Sequence, residues 1–331
     1  MAFLFDTHVH TSETSSCSNV DARTMVRLYK QRGFDGVVVT DHYHDGFFEG
    51  PFADSVDWET KVRCFLGGYR AARKEGENIG LRVLMGMEIN FTPLNVDFLV
   101  FGIDEDFLIR YPRLWSLTLP WFSKLAHERG MLVYQAHPCR PPTEPADHRC
   151  LDGVEVYNGS PGYLAYNADA LAFANVHGLA MSAGSDFHRV SQLARGGIYL
   201  PEMPDDAKDL VRLMKAHAPL KLFTAGDVEP EAESEQAETK GSSDAGTLIT
   251  HENGLELSVR RLDDGDAMLT FRNESPDPRI AYASLETIGL SAPCRVRSID
   301  LETDLGFADK EVSAEVPGLG SHALLLRSLL C

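Results

Sequence analysis

The chain has 331 residues, 44% of them hydrophobic and 24% charged, and 31 Lys plus Arg face 49 Asp plus Glu for a formal charge of −18. The length suits one large domain or two smaller ones, and the acidity argues against a protein that coats nucleic acid or docks on an anionic membrane, since both need a basic face. No apolar run approaches the roughly 20 residues of a membrane span, and residues 1–6 lack the basic start of a secretory signal.

Six scattered cysteines (Cys17, Cys64, Cys139, Cys150, Cys294 and Cys331) include no C-x-x-C pair and read as reduced thiols, which predicts a cytoplasmic protein.

From residue 2 to about 223, short apolar runs alternate with amphipathic stretches. The runs lie at 2–5, 36–40, 81–89, 96–102, 130–136, 153–157, 179–183 and 196–200, rich in Val, Ile, Leu and Met and bounded by Gly or Pro. That is the pattern of buried parallel strands. Asp21 caps a predicted helix that carries Met25, Leu28 and Tyr29 on one face and ends at Gly33. Further helical patterns span about 55–76, 118–129, 161–177 and 205–217. The alternation predicts a parallel α/β fold closed into a barrel over residues 1–224.

Residues 225–246 change character. Seven acids face one base, Lys240, with no aromatic side chain, so this stretch is predicted to be an acidic disordered linker. Period-two alternation then appears in 255–259, 268–271, 295–301, 311–316 and 322–326, with turn residues at 263–266. Residues 247–331 are therefore predicted to form a small β-sandwich-like accessory domain.

The chemically capable residues fall at the carboxyl ends of the predicted strands, which converge on one mouth in a parallel barrel. The first run leads into His8 and His10, which share a face on an extended strand and can reach one cation. Others end at Asp41-His42, at Glu88, at His137, and at Asp186 and His188, while Asp97 opens an otherwise apolar run. Any one of these is commonly a satisfied core residue or a cap. Five strand ends carrying His, Asp or Glu together would bury unpaired charge at several kcal/mol each, so they predict a polynuclear metal site. Glu155 and Asn158, at another strand end, are read as support for the ligands. No phosphate-cradling G-x-x-x-x-G-K-[ST] and no G-x-S-x-G nucleophile motif is present.

The series D-x-H-x-H-T (6–11), T-D-H (40–42), G-x-E (86–88), A-H-P (136–138) and S-D-x-H (185–188) resembles the polymerase and histidinol phosphatase (PHP) family of metal-dependent phosphoesterases. The resemblance covers about residues 3–200 and implies a distorted seven-stranded β/α (TIM-like) barrel holding two to three divalent ions, Zn, Mn or Fe. By matching position it implies that His8, His10, Glu88 and Asp186 hold the first metal. Glu88 would bridge to a second metal held also by His137, and His42 and His188 would hold the third. Glu88, Asp186 and His188 become the candidate catalytic residues.

Two departures from the family pattern stand out. The loop after H-x-H lacks the usual Asp, and Glu13 is the candidate substitute. Cys17, a softer alternative, is read as a small buried filler. Asp97 stands where a His is usual, which hardens the site toward Mn or Fe.

The expected mechanism is attack on phosphorus by a hydroxide bridging two cations, available near neutral pH because coordination lowers the pKa of water to about 7. Arg140 and Arg189 are candidate grips on the substrate phosphate, and His44 is read as a loop residue. The sequence thus predicts a hydrolase acting on a small phosphorylated substrate, a phosphomonoester in particular, with no nucleic-acid and no membrane partner. The alternatives are an amide or ester hydrolase on the same barrel, or a binding protein acting through its β domain.

Overall fold

The computed structural model describes residues 2–49, 56–92, 94, 96–162, 164–218, 220–227, 247–252, 254–262, 266–290, 293–300 and 303–328. The chain divides into two compact units, Met1–Asp45 with Phe65–Pro230, and Gly46–Cys64 with Glu231–Cys331. Apart from a 3-10 turn at Ala225–Asp227, the predicted acidic linker lies outside the described residues, as does most of the turn at 263–266.

The first unit is built on strands β1 (Phe3–Val9), β2 (Gly36–Val39), β3 (His42–Tyr43), β4 (Arg82–Asn90), β5 (Asp97–Phe101), β6 (Leu132–Gln135), β7 (Gly153–Asn158), β8 (Ala180–Gly184), β9 (Gly196–Leu200) and β10 (Lys221–Thr224). They form one sheet in the order β10-β9-β1-β2-β4-β5-β6-β7-β8, with the short β3 paired to β4. The path is a nearly closed, barrel-like sheet of nine strands, which corrects the expected seven.

The expected parallel order is also incomplete, because β5 runs against both β4 and β6, and β9 runs against β1 and β10. Buried strands of either direction read as the same continuous apolar run, so their direction was not legible. Near the gap, Val9 bridges Phe187 and the Phe187 carbonyl accepts the His10 N–H at 3.0 Å, which ties the end of β1 to the segment after β8.

Helices α1 (Ala22–Gln31), α4 (Gly67–Ile79), α5 (Glu105–Arg110), α6 (Leu119–Glu128), α7 (Asn167–His177) and α8 (Ala207–Ala216) connect strands of the first unit in sequence, while α2 (Asp45–Phe48) and α3 (Trp58–Phe65) fall almost wholly in the segment assigned to the second. The Asp21 side chain accepts the Thr24 N–H and caps α1, as its position predicts. On β2, Val37 and Val39 join the Met25, Val26 and Tyr29 face of α1, while Val38 packs with Phe5, Leu84 and Leu99. Strand alternation thus separates an inner layer from a helix-covered outer one. Among the described residues, no helix is long and apolar enough to cross a membrane.

In the second unit, β11 (Thr247–Glu252), β12 (Leu255–Arg261), β13 (Ala267–Asn273), β15 (Cys294–Ser298), β16 (Thr303–Ala308) and β18 (Ser321–Ser328) make one antiparallel sheet. β14 (Arg279–Ser284) and β17 (Glu311–Val316) make another. Leu257, Leu269 and Leu324 of the first sheet share a core with Ala281, Ala283 and Val312 of the second. The segment 46–64 joins this unit through Phe47, whose ring lies 5.7 Å from that of Phe307 and beneath the Arg295 guanidinium at 4.0 Å.

Candidate metal centre

Seven of the nine sequence-predicted ligands come together at the mouth of the first unit, and an eighth sits at its edge. His8 lies within β1 and His10 just past it, and alternation aims both rings at Glu88 of β4. His8 Nε2 is 3.3 Å from Glu88 Oε1, and His10 Nε2 is 3.3 Å from Glu88 Oε2. His42, opening β3, places Nδ1 at 2.8 Å from Glu88 Oε2, and His137, just past β6, places Nε2 at 3.3 Å from Glu88 Oε1.

Asp186 Oδ1 stands 3.5 Å from His8 Nε2, 3.6 Å from His10 Nε2 and 3.4 Å from His188 Nδ1. Asp97 is at the edge, 4.0 Å from His137 Nε2, and accepts a hydrogen bond from Asn90 Nδ2 at 2.8 Å. It reaches the mouth because β5 runs backward: its first residue pairs with Asn90, at the end of β4.

Four overlapping sets could each surround one ion: His8, His10 and Glu88; His8, His137 and Asp186; His42, Glu88 and Asp97; and His10, His42 and His188. Within each, the ligand atoms lie within 4.8 Å of one another.

These atoms crowd together, yet His8 Nε2, His10 Nε2 and both Glu88 oxygens are buried without a hydrogen-bond partner. Leaving that many buried polar atoms unmatched costs about 1–3 kcal/mol apiece, and such atoms call for a specific explanation. A shared cation would satisfy them, and imidazole with carboxylate is a donor set for Zn, Mn or Fe. His137 (φ 29°) and Asp186 (φ 53°) both adopt the left-handed conformation. Non-glycine residues held there cost about 1–3 kcal/mol each and collect at functional sites.

The electrostatics fit the same reading. Burial pushes the Glu88 carboxyl up, but the His8 and His42 rings outweigh it and hold it well below the carboxylate range. Burial likewise opposes the charged form of Asp186, and His8, His10 and His188 bring it well down. Burial and the neighbouring His188 and His42 keep His10 well below its ordinary value, hence a neutral ligand. Burial disfavours a charged His8 also, but Glu155, Glu88 and Asp186 outweigh it and raise this ring, so the ring would have to give up a proton to hold a cation.

A second layer of side chains holds the first. His8 Nδ1 donates to Glu155 Oε1 at 2.9 Å, and Asn158 Nδ2 donates to Glu155 Oε2 at 2.9 Å and to Asp186 Oδ2 at 3.3 Å. These two residues support the ligands, as their strand-end positions suggest. Asp6 accepts from the backbone of His8 and Ser185 and from the Tyr29 and Ser185 hydroxyls. Asp41 shapes the loop after β1 by accepting from Thr11 N, Thr11 Oγ1 and Ser15 Oγ, each at 2.7 Å. The sequence placed Asp6 and Asp41 inside motifs without revealing these duties, because the partners lie up to 179 positions away.

Two assignments in the loop after β1 are corrected. Both Glu13 oxygens accept the Ala22 N–H at 3.0 Å, so this carboxylate sits at the amino end of α1, where the helix dipole and free N–H groups favour it, and it does not join the ligand sets. Cys17 is not a buried filler. It is exposed, and the charges of the neighbouring His188 and His42 rings act on its thiol. Partial burial raises the thiol, but those two rings bring it down to about 6.

Arg140 stands beside the cluster, Nη1 at 3.0 Å from Asp186 Oδ2. Arg189 is exposed at the start of the 3-10 turn Val190–Gln192. His44 is half-exposed, 3.8 Å from Asp45, as a loop residue should be.

No family model matches the chain, and no curated protein matches it. Solved structures do. A two-domain protein from Bacteroides vulgatus containing a predicted PHP-like metal-dependent phosphoesterase is 14% identical, with 98% of this chain and 86% of that one covered and a TM-score of 0.48. PsfC from Pseudomonas syringae is 19% identical over 67% of this chain and 91% of that one, with a TM-score of 0.47. The lesion-specific endonuclease EndoQ from Pyrococcus furiosus is 14% identical over 67% of this chain and 58% of that one, with a TM-score of 0.46.

PHP-like phosphoesterases are thus among the similar structures, in agreement with the resemblance in the motifs. The endonuclease corrects the exclusion of nucleic acid that was drawn from the net charge. A net charge sums the whole chain and leaves out any bound cations, whereas a phosphate responds to the local field.

Proposed function

We propose that the chain is a metal-dependent hydrolase of phosphoric esters, with the phosphomonoester of a small metabolite as the favoured substrate. The observation that carries this reading is the convergence of His8 Nε2, His10 Nε2 and both Glu88 oxygens, all buried and without hydrogen-bond partners. His8, His10, Glu88 and Asp186 would hold one ion and Glu88 with His137 a second. His42 and His188 would hold a third, and Asp97 stands near the second. Divalent ions held there would supply water of near-neutral pKa and offset the charge that builds on phosphate oxygens.

The chain's own residues do the rest. Glu88 spans the cluster, each oxygen facing two rings, and fixes the spacing between positions. Asp186 links the His8–His10 pair to His188. Arg140, whose positive form is favoured by Asp186, Glu88 and Asp97 although burial opposes it, is placed to turn its planar fork onto two free phosphate oxygens. A monoester leaves such a face free.

The test is phosphate release, in protein purified without chelator, from sugar, nucleotide and amino-alcohol phosphates with added Mn, Zn or Fe. Single- and double-stranded oligonucleotides are included, as are amide and carboxylic-ester substrates. Release from a narrow set of monoesters, absent after H8A/H10A substitution, is the expected result. Turnover of amides or carboxylic esters alone, or turnover that survives the double substitution, would overturn the proposal.

A further inference from the structure

We propose that Glu155 is a positioning residue serving two ion positions at once, so that the ions held through His8 and through His137 bind as a coupled pair. The inference rests on the metal-dependent reading above.

Glu155 lies in β7 and is completely buried. Its two oxygens do different work. Oε1 accepts the His8 Nδ1–H at 2.9 Å, which leaves Nε2 as the nitrogen able to take an ion and turns it toward Glu88 and Asp186. Oε2 accepts the His137 backbone N–H at 3.0 Å and the Asn158 side-chain N–H at 2.9 Å. The first of these bonds holds the backbone at the residue whose φ is 29°, the conformation that carries the His137 ring to Glu88. The second reaches Asp186, because Asn158 Nδ2 also lies 3.3 Å from Asp186 Oδ2. One carboxylate therefore orients His8 and the His137 backbone directly and reaches Asp186 through Asn158.

The other side of the cluster has its own support. His10 Nδ1 lies 3.2 Å from Ser15 Oγ, which donates to Asp41, and His42 N donates to the same Ser15 oxygen. Loss of Glu155 should thus loosen the positions built on His8 and His137 and spare the set His10, His42 and His188.

The substitution E155Q separates positioning from packing, because it keeps the shape. Its single amide oxygen can serve His8 Nδ1–H or His137 N–H, and its NH2 then faces the other donor. Chelator-stripped protein, E155Q and E155A are titrated with Mn2+ alone and with Zn2+ alone against a competing chelator, with melting temperature measured on the stripped forms.

We expect ion affinity in E155Q to fall about 10–100-fold, the usual loss when an outer partner of a ligand is removed, and in E155A at least as far. Unchanged affinity in folded variants overturns the inference and leaves the metal reading intact. Absence of ion binding to the unmodified chain overturns both. A residue that matters only for stability would lower the melting temperature and leave affinity alone, which also overturns it. Should the variants fail to fold, 15N spectra of the unmodified chain decide. His8 must carry its proton on Nδ1 in stripped and loaded protein alike, and an Nδ1 without its proton would refute the proposal.

Discussion

Gly184 stands so close to His8 that a Cβ built on the glycine would lie 2.4 Å from the His8 Cβ and 2.9 Å from Glu155 Oε1. The end of β8 thus leaves room for the ligand and for the carboxylate that orients it. G184A should destabilise the fold by about 1–3 kcal/mol, as overpacking does in a filled interior, and should weaken ion binding together with stability. Denaturant unfolding and ion titration on the same preparation check this.

Arg140 and Arg189 make a matched pair for testing substrate contact. R140A should lower kcat/KM on phosphoesters by about 10²–10³-fold, the range for losing one donor aimed at developing charge. R189A removes an exposed side chain and should change stability by no more than about 0.5 kcal/mol and leave kcat/KM near that of the parent. Steady-state kinetics of both variants separates the two arginines.

Burial raises the Asp6 carboxyl from 3.8 to about 7, against hydrogen bonds from Ser185, Tyr29 and His8 that lower it. Between those values the folded chain keeps a proton that the unfolded chain has lost. Asp6 therefore makes stability fall as pH rises from about 4 to about 7, with no further loss above that. In D6N this dependence should vanish, since an amide can donate to the Tyr29 and Ser185 hydroxyls at any pH. Melting temperatures of stripped parent and D6N at pH 5 and pH 7.5 measure the difference.

Cys17 should be the most reactive of the described thiols near neutral pH. Its thiol is drawn to about 6 by His188 and His42 despite partial burial, whereas burial pushes Cys294 up to about 12 and also raises Cys139 and Cys150. Iodoacetamide labelling of stripped protein across pH 5–9 should reach Cys17 first, with a midpoint near 6. In H42A the midpoint should move up toward the ordinary thiol range.

Much of the site was legible because ligands at strand ends obey simple geometry. Period-two alternation put His8 and His10 on one face, and the apolar runs put Glu88, His137, Asp186 and His188 at strand ends. What the sequence hid depends on contacts between distant segments. The direction of β5 brings Asp97 to the mouth, but a buried apolar run looks alike in either direction. The loop after β1 is folded by Asp41 gripping Thr11 and Ser15, which sends Glu13 to the amino end of α1 and leaves Cys17 beside His42 and His188. Charge and spacing alone favoured Glu13 there, since neither records which way a loop turns.

The cluster around Glu88 is expected to hold divalent ions, and a direct count decides it. Equilibrium dialysis of stripped protein against Mn2+ or Zn2+, followed by elemental analysis, counts the ions bound per chain. At least two are expected on the unmodified chain and at least one fewer on H8A/H10A with the fold retained. An unmodified chain that takes up none, or a folded double variant that binds as many as its parent, would contradict it.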